Sequence, residues 1–284
     1  MTTLPRFPTE ILIIIISYAA TGDTDLASRL CQVSRWVRDI VQPILYKVVT
    51  LNHTSLSETK KRLQCSHVRN FIRDFGLAGV HGMPDLENYP LQTVRNFATD
   101  SIYNLKLVMT ENIEELHFLN VVAHRPLVGV TFPRLRRLHY YGRRGPLLLL
   151  GSAAISVSRI LQDTILTHLA ISVPDERGMF NLISDINTIL KTHRMLQLLY
   201  VRILHSTALV LHGADYESLE GQLAAIGDPR LVVRRIDMIA SAEVLLSEWE
   251  RNARLGGGIW NWAEGQLEQR DFKQRFSYSL KPDN

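Results

Sequence analysis

Histidines are the side chains of this sequence whose spacing most directly suggests chemistry. Three of the ten, His117, His139 and His168, fall on segments that alternate like β-strands, so neighbouring strands would bring their imidazoles close together. Three close imidazoles can hold a metal ion such as zinc. These strands would lie about 4.8 Å apart, however, and no carboxylate spacing motif accompanies the histidines. The pattern therefore does not favour a metal site.

Other motifs of catalysis are also incomplete. Gly256-Gly257-Gly258 lacks the Lys-Ser/Thr pair of a phosphate-binding loop and follows a predicted helix, which is typical of a helix C-cap and linker. The Gly-x-Ser-x-Gly turn that presents a nucleophilic serine does not occur in the sequence. Two cysteines, Cys31 and Cys65, supply neither a disulfide framework nor a metal set. The sequence predicts a protein that is not an enzyme, has no cofactor and works in the cytoplasm or nucleus.

Charge and hydropathy indicate which classes of partner are not expected. The chain has 284 residues, 46% of them hydrophobic and 21% charged, with a net charge of +4. Its arginine pairs at 136–137, 143–144 and 234–235 are scattered and form no basic run, so we expect no nucleic-acid partner. The longest apolar stretch, residues 11–20, is half of the ~20 residues that a membrane span needs, and Glu10 borders it. We therefore expect no membrane partner.

The same apolar stretch begins with Ile-Leu-Ile-Ile-Ile-Ile, and its flanks favour a helix over a buried strand. Pro8 suits a first helical position, and Glu10 would lie in the first turn, at the positive end of the helix dipole. We predict a helix over residues 8–19. Its apolar side chains fill an arc of roughly 200°, about twice the stripe that one contact surface requires. Such a helix must be covered from two sides, by its own domain and by a partner.

Two further helices and a strand follow within forty residues. Residues 22–25 form a turn with capping side chains, and residues 26–30 and 33–41 have helical character, with Ser34 as an N-cap of the second. Pro43 is expected to weaken or end that helix. Residues 44–51 then alternate enough to start a strand. Three short helices form only a marginal core.

Together these segments resemble an F-box. Phe7-Pro8-Thr9-Glu10-Ile11-Leu12 with the isoleucines and Tyr18 is similar to its first helix, Leu30-Cys31-Gln32-Val33-Ser34-Arg35-Trp36 to its later segment, and residues 43–51 to the exit segment of fungal F-box proteins. The resemblance covers residues 4–51. It implies docking on the Skp-type adaptor of a cullin-RING ubiquitin ligase, the SCF complex. The positions that it assigns to adaptor contact or its immediate support are Phe7, Pro8, Ile11, Leu12, Ile15, Val33, Ser34 and Trp36.

An apolar–x–x–apolar–x–apolar spacing recurs in the remainder of the chain. It occurs at 113/116/118, 135/138/140, 166/169/171, 196/199/201 and 233/236/238, with helix-like segments at 101–110, 153–163, 179–192, 216–226 and 240–254 between or after them. The middle positions are 22, 31, 30 and 37 residues apart. This pattern resembles the degenerate leucine-rich repeats that often follow an F-box. Most repeats lack the expected asparagine, Asn120 being the best candidate, and an ordinary α/β layer with parallel strands is the alternative.

The expected fold class is therefore α+β or α/β, with a three-helix F-box at 4–51 and a leucine-rich-repeat-like solenoid at 52–270, a curved parallel sheet with outer helices. Residues 271–284 are expected to form a flexible tail. Strand alternation places a second set of side chains on the concave, exposed side of the sheet, where they would bind a protein substrate. This set comprises Glu115, His117, Arg137, His139, Tyr141, Tyr200 and Arg202, with His168, Arg235 and Asp237 in equivalent positions.

Two functions remain open at this point. The resemblance implies a substrate-recognition subunit of an SCF-type ubiquitin ligase, with a protein substrate that the sequence does not name. The alternative is a repeat-like protein-binding scaffold with no ligase role. The two differ in whether residues 4–45 bind the adaptor.

Overall fold

A computed structural model describes residues 7–51, 61, 63–64, 66–78, 91–101, 104–105, 108–119, 131–141, 164–174, 182–205, 216–237, 241–256 and 258–279. Its strands are β1 Val48–Leu51, β2 Asp74–Leu77, β3 Asn96–Thr99, β4 Glu115–Leu119, β5 Arg137–Tyr141, β6 His168–Pro174, β7 Leu198–His205 and β8 Leu231–Asp237. Its helices are α1 Thr9–Gly22, α2 Thr24–Leu30, α3 Arg35–Leu45, α4 Leu182–Thr192, α5 Tyr216–Ala224, α6 Ala242–Leu255 and α7 Ile259–Ser279, with a single turn at Ser66–Arg69 and a 3-10 turn at Thr110–Asn112. No helix among the described residues is long and apolar enough to cross a membrane.

The first three helices form a small bundle whose ends are set by capping side chains. The Asp23 carboxylate accepts hydrogen bonds from the backbone N–H groups of Asp25 and Leu26, and the Ser34 hydroxyl accepts one from Val37. Pro43 was expected to weaken or end the third helix, and it does not end it, since α3 continues to Leu45 with Pro43 inside it. Pro43 costs α3 one hydrogen bond, the one that a backbone N–H at this position would donate to the carbonyl of Asp39, and the helix ends two residues later.

The eight strands form one curved parallel sheet in which each strand pairs with the next one along the chain. The predicted α/β class and parallel sheet are confirmed. Four of the predicted strands lie where the repeated spacing places them, and the middle positions of the first three, Leu116, Leu138 and Leu169, occupy one row of the register. Leu199 continues that row, through the pairing of Leu169 with Leu199 in β7.

The last predicted strand exists as β8, but the register assigned to it is wrong. Leu199 pairs with Leu231, not with Ile236, so the true interval is 32 residues. Arg235 and Asp237 consequently pair with Ile203 and His205, and they do not continue the row of Arg202. The spacing at 233/236/238 is an accidental match, since Ile236 packs on the opposite side of the sheet from Val233.

Two strands and several predicted helices differ from the sequence analysis. β2 and β3 were not predicted, although Ile72, Phe75 and Leu77 have the same spacing as the other strands. The described part of 101–110 contains no α-helix. The predicted helix at 153–163 and Asn120 lie outside the described residues. Helix α7 extends to Ser279, into the segment expected to be a flexible tail.

The two faces of the sheet differ in the size of their side chains. One face carries large residues such as Phe75, Phe97 and Phe118, which form the main core with α4 and α5. The other face carries the small residues Gly76, Ala98 and Ala170 on β2, β3 and β6, and Ala78 directly after β2. Helices α6 and α7 pack on this second face, where small side chains permit a close approach of helix and strand.

Candidate functional site

The exposed surface of the N-terminal bundle is the first candidate site. Of the fourteen large hydrophobic side chains that are exposed among the described residues, nine lie between residues 7 and 36. We call this set the bundle surface, and it comprises Phe7, Ile11, Ile13, Ile14, Ile15, Tyr18, Leu26, Val33 and Trp36. The core of the bundle is built mainly from small residues, with Ala20, Ala27, Val37 and Val41 buried. Most of the isoleucine run therefore faces outward.

The residues assigned to adaptor contact lie mostly on or beside the bundle surface. Five of them belong to it, and Pro8 and Ser34 are also exposed. Leu12 is half-buried and thus has a mainly supporting position. The backbone carbonyl of Pro8 accepts a hydrogen bond from the N–H of Leu12, so Pro8 precedes the first helical residue and is not itself part of the helix.

Two of the most exposed residues of the bundle surface were not assigned from the sequence. Ile14 is 62% exposed and Tyr18 is 85% exposed. They lie four residues apart on α1, so they occupy the same side of the helix. The helical periodicity of the isoleucine run contained this information, because Ile11, Ile14, Ile15 and Tyr18 fall within one arc at 100° per residue.

The second candidate site is the face of the sheet that was expected to be exposed. The structure brings the predicted substrate-binding residues of β4, β5 and β7 together on this face, but their predicted exposure is wrong. His117, His139, Tyr141, Tyr200 and Arg202 are buried, and Glu115 and Arg137 are half-buried. The physical reason is that α6 and α7 follow β8 and return across this face. They are not outer helices of the repeat.

Charged contacts hold α6 in place on this face. Arg202 is 1% exposed, and its Nη2 lies 2.8 Å from both carboxylate oxygens of Glu248 on α6. Glu250 on α6 accepts a hydrogen bond from the Thr50 hydroxyl at 2.8 Å. Near its C-terminus, Arg254 donates to the carbonyl of Val48 at 3.0 Å. These bonds fix α6 across both ends of the sheet.

Helix α7 is held by a similar set of contacts. Glu264 lies 2.9 Å from Nη2 of Arg137 and 3.2 Å from Nε2 of His168. The buried indole of Trp260 donates to the carboxylate of Glu115 at 2.9 Å. Arg270 donates to the carbonyl of Leu231 at 2.8 Å. The second face is therefore closed by polar as well as apolar contacts.

A chain of four polar residues runs through the buried centre of this face. The Nε2 of His139 lies 2.7 Å from the Ser172 hydroxyl, and its Nδ1 lies 3.1 Å from Nδ1 of His117. The Nε2 of His117 in turn contacts the carboxylate of Glu115. One set of neutral tautomers satisfies every bond, with Ser172 donating to His139, His139 to His117, and His117 to Glu115.

The environment of this chain favours a neutral His139 and an ionised Glu115. Burial holds the pKa of His139 well below its ordinary value, and the charge of His117 when that ring is protonated, together with the charge of Arg202, acts in the same direction. Burial alone would raise the pKa of Glu115, but hydrogen bonds from His117 and Trp260 and the charge of Arg137 keep that pKa below its usual range. A neutral His139 beside an ionised Glu115 is what the hydrogen-bond directions described above require.

Serine, two histidines and a glutamate in a row resemble the parts of a nucleophilic site, but a substrate could not reach the serine. Ser172 is buried within β6 and is not among the residues that line the adjacent cavity. A nucleophile must reach the bound substrate to attack it. All four ring nitrogens of His117 and His139 have hydrogen-bond partners, and the described residues contain no group of three or more side chains placed to hold a metal ion.

Next to this chain, a cavity of about 400 Å³ lies between the sheet and the helices α6 and α7. Its lining includes the basic residues Lys47, Arg73, Arg95, Arg137 and Arg202 and the acidic residues Asp74, Glu115 and Glu248. Strand alternation placed several of these side chains on one face and a helix was predicted at 240–254, but neither the return of that helix across this face nor α7 was predicted. Comparison with family models, curated proteins and solved structures finds no match to this chain.

Proposed function

We propose that this chain is a substrate-recognition subunit of an SCF-type cullin-RING ubiquitin ligase, in which the bundle surface docks on a Skp-type adaptor. The observation that carries the proposal is the exposure of nine large apolar side chains within thirty residues of a three-helix bundle. This is the segment that resembles an F-box. Such ligases act in the cytoplasm and nucleus, and we propose the same location for this protein.

The energetics of the bundle surface support a partner. Burying one large apolar side chain contributes about 1.5–3 kcal/mol, so the loss of two or three of these contacts would abolish a sub-micromolar complex. Exposed apolar clusters of this kind mark interaction sites on most folded proteins. The arrangement of the rest of the chain is compatible with the proposal, since α1 contacts α6 and the bundle is thereby attached to the sheet.

In this proposal, the part of the chain after residue 51 binds the substrate. Most of the residues first assigned to it lie beneath α6 and α7. A protein substrate therefore reaches them only if these helices move, or it binds elsewhere on the sheet domain. The proposal leaves the chemical reaction to the ligase complex, so the protein needs no catalytic residue of its own.

Co-expression with a Skp-type adaptor tests the proposal. We expect the wild-type chain to co-purify with the adaptor and the double variant Ile15→Glu, Val33→Glu to lose it, because both side chains are more than half exposed and their replacement spares the bundle core. Leu12 is a poorer choice because it is half-buried. Met195→Glu is the matched control, since Met195 is 69% exposed outside the bundle.

The outcome separates the two functions that the sequence leaves open. Retention by wild type and Met195→Glu but not by the double variant supports the ligase subunit. Absence of adaptor binding by a folded wild-type chain contradicts it and leaves the protein-binding scaffold as the better explanation.

A further inference from the structure

The sheet has an exposed surface at the edge where β5, β6 and β7 begin. Three short segments lead into these neighbouring strands, residues 134–136, 165–167 and 195–197. Their backbones are joined, since the N–H of Thr167 donates to the carbonyl of Arg136 and that of Gln197 to the carbonyl of Thr167. Adjacent strands are separated by about 4.8 Å. Equivalent positions of the three segments therefore lie side by side.

Side chains in these segments alternate between the core and the solvent. The middle residues are buried, and they are Leu135, Leu166 and Leu196. The residues directly before them are exposed, and they are Arg134, Ile165 and Met195. Ile165 is 62% exposed and Met195 is 69% exposed. Two large apolar side chains thus face water on adjacent strands, in a part of the chain that otherwise buries such residues.

The charge of this region is positive. Residues 131–136, 164–167 and 191–197 contain no aspartate or glutamate, and their basic residues are Arg134, Arg136, Lys191 and Arg194. All four are exposed, and within the described part of the chain none of them has an ion-pair partner. Unpaired cations therefore surround the two exposed apolar side chains.

Acidic residues on the two flanks do not neutralise this charge. Glu114, before β4, pairs with Arg95 at 3.6 Å, and Asp228, before β8, pairs with Arg230 at 2.7 Å. Among the described residues that lead into β4 and β8, this leaves Glu111 as the acidic residue outside these pairs. The four cations outnumber it.

We propose that this surface binds an acidic linear segment of a partner protein that also carries apolar side chains. We call it the edge patch, and it comprises Arg134, Arg136, Ile165, Lys191, Arg194 and Met195. The carboxylates of such a segment would meet the cations, and its apolar side chains would cover the isoleucine and the methionine. Methionine adapts its shape to a bound side chain easily. As the surface that captures a substrate, the edge patch rests on the proposed function.

The size and composition of the edge patch favour a peptide over a nucleic acid. Three neighbouring strands span about 10 Å, which three or four residues of extended chain cover. Single-stranded nucleic acids are commonly bound by aromatic rings on which their bases stack. The described residues of the three segments have no exposed aromatic ring, since Phe132 is buried.

Selection of a phage-displayed library of random short peptides on the immobilised full-length protein tests the proposal. Phage that bind the variant Arg136→Glu, Arg194→Glu are removed first, which discards peptides that bind the bundle surface. We expect the retained peptides to be rich in aspartate and glutamate and to contain leucine, isoleucine or phenylalanine. A selection that retains no peptide, or only peptides without acidic residues, overturns the proposal.

Fluorescence anisotropy with one retained peptide locates its site through residues that the selection did not use. Arg134→Glu reverses one charge and should weaken binding about fivefold. Ile165→Ser combined with Met195→Ser removes the apolar contacts and should weaken binding about tenfold. Because these side chains are exposed, we expect the variants to fold, and circular dichroism checks this.

Two matched controls lie outside the edge patch. Arg29→Glu changes an exposed arginine of α2, and Val244→Ser changes an exposed apolar residue of α6. Both should bind the peptide as wild type does. If the controls weaken binding as much as the patch variants, the peptide binds elsewhere and the proposal is wrong.

Polyuridine, a single-stranded RNA, serves as the competing polyanion. We expect it to bind more weakly than the peptide at the same salt concentration, because it offers no apolar side chains to Ile165 and Met195. Tighter binding of polyuridine that Arg134→Glu weakens would assign the edge patch to a nucleic acid and overturn the proposal.

Co-purification of the adaptor with the same variants separates this inference from the proposed function. The patch variants should retain the adaptor, since the bundle surface is unchanged in them. Adaptor binding without a retained peptide contradicts the edge patch alone. Peptide binding without adaptor binding contradicts the ligase subunit and leaves a protein-binding scaffold that uses the edge patch.

Discussion

The N-terminal bundle and the sheet differ in which of their side chains are buried and which are exposed. The bundle buries small side chains and exposes large ones, whereas the sheet covers both of its faces, including charged residues such as Arg202. The bundle consequently has an apolar surface whose exposure to water is unfavourable. Substitutions on this surface should change the free energy of unfolding little. The second face of the sheet is already occupied, and its residues stabilise the protein from within. What the chain packs on a surface thus decides whether that surface stabilises the fold or is left for a partner.

The largest expected effect is on the ion pair beneath α6. Glu248→Ala leaves the buried guanidinium of Arg202 without its counter-charge, which should lower the free energy of unfolding by about 3–5 kcal/mol. Urea denaturation followed by circular dichroism measures the loss. Glu243→Gln is the control on the same helix, since Glu243 is exposed, and a change there should stay near zero. Equal effects of the two changes would mean that the second face is not closed by α6.

The next largest effect concerns the close approach of α6 to β2. A methyl group at Gly76 would lie 2.6 Å from Cδ1 of Leu246 and 2.7 Å from the ring of Trp249. Gly76→Ala should therefore destabilise the protein by about 1–3 kcal/mol. Gly221→Ala, in α5 with open space around it, should instead stabilise by about 0.5–1 kcal/mol. Opposite signs in urea denaturation are the expected result, and two stabilising changes would contradict the close packing.

Lowering the pH should reduce the stability of the second face of the sheet before it affects the bundle. Burial and the charges of His117 and Arg202 lower the pKa of His139, so the unfolded chain binds a proton there that the folded chain does not. The contribution is present above about pH 6.5 and is lost as the pH falls below it. Between pH 7.5 and 5.5 the loss from His139 should be about 1.4 kcal/mol.

Burial and the charge of Arg137 also lower the pKa of His168, and burial lowers the pKa of His193. Both histidines therefore add to the loss of stability at low pH. The variant His139→Gln isolates the contribution of His139. Its free energy of unfolding should fall less than that of wild type over the same pH range. An identical pH dependence in both proteins would show that His139 is not held neutral.

The smallest effect is expected on the bundle surface. Ile14→Gln and Tyr18→Gln should change the free energy of unfolding of the isolated chain by no more than about 0.5 kcal/mol, because both side chains are already in contact with water. Val41→Gln, in the bundle core, should be strongly destabilising. A large loss of stability in Ile14→Gln or Tyr18→Gln would mean that these residues are covered within the chain itself.

Some of these features could be predicted from the sequence, and others could not. Local periodicity was sufficient for the helices of the bundle and for the strands at Leu116, Leu138 and Leu169, because each depends on neighbours in sequence. The position of α6 depends on contacts across some 200 residues, such as Thr50 with Glu250, which no local pattern contains. A signal was nevertheless present. Gly76, Ala78 and Ala98 repeat on one side of adjacent strands, as expected where a helix packs closely.

The hydrogen-bonded row from Ser172 to Glu115 has a property that neither a purely apolar core nor a single ion pair possesses. If His117 takes up a proton, it can donate to Glu115 and to His139 at once, and His139 can then donate to Ser172. Each contact along the row is kept, while the direction of two of them reverses. The interior can thus change its charge without changing its shape, with the altered polarity transmitted over three strands, from β4 to β6.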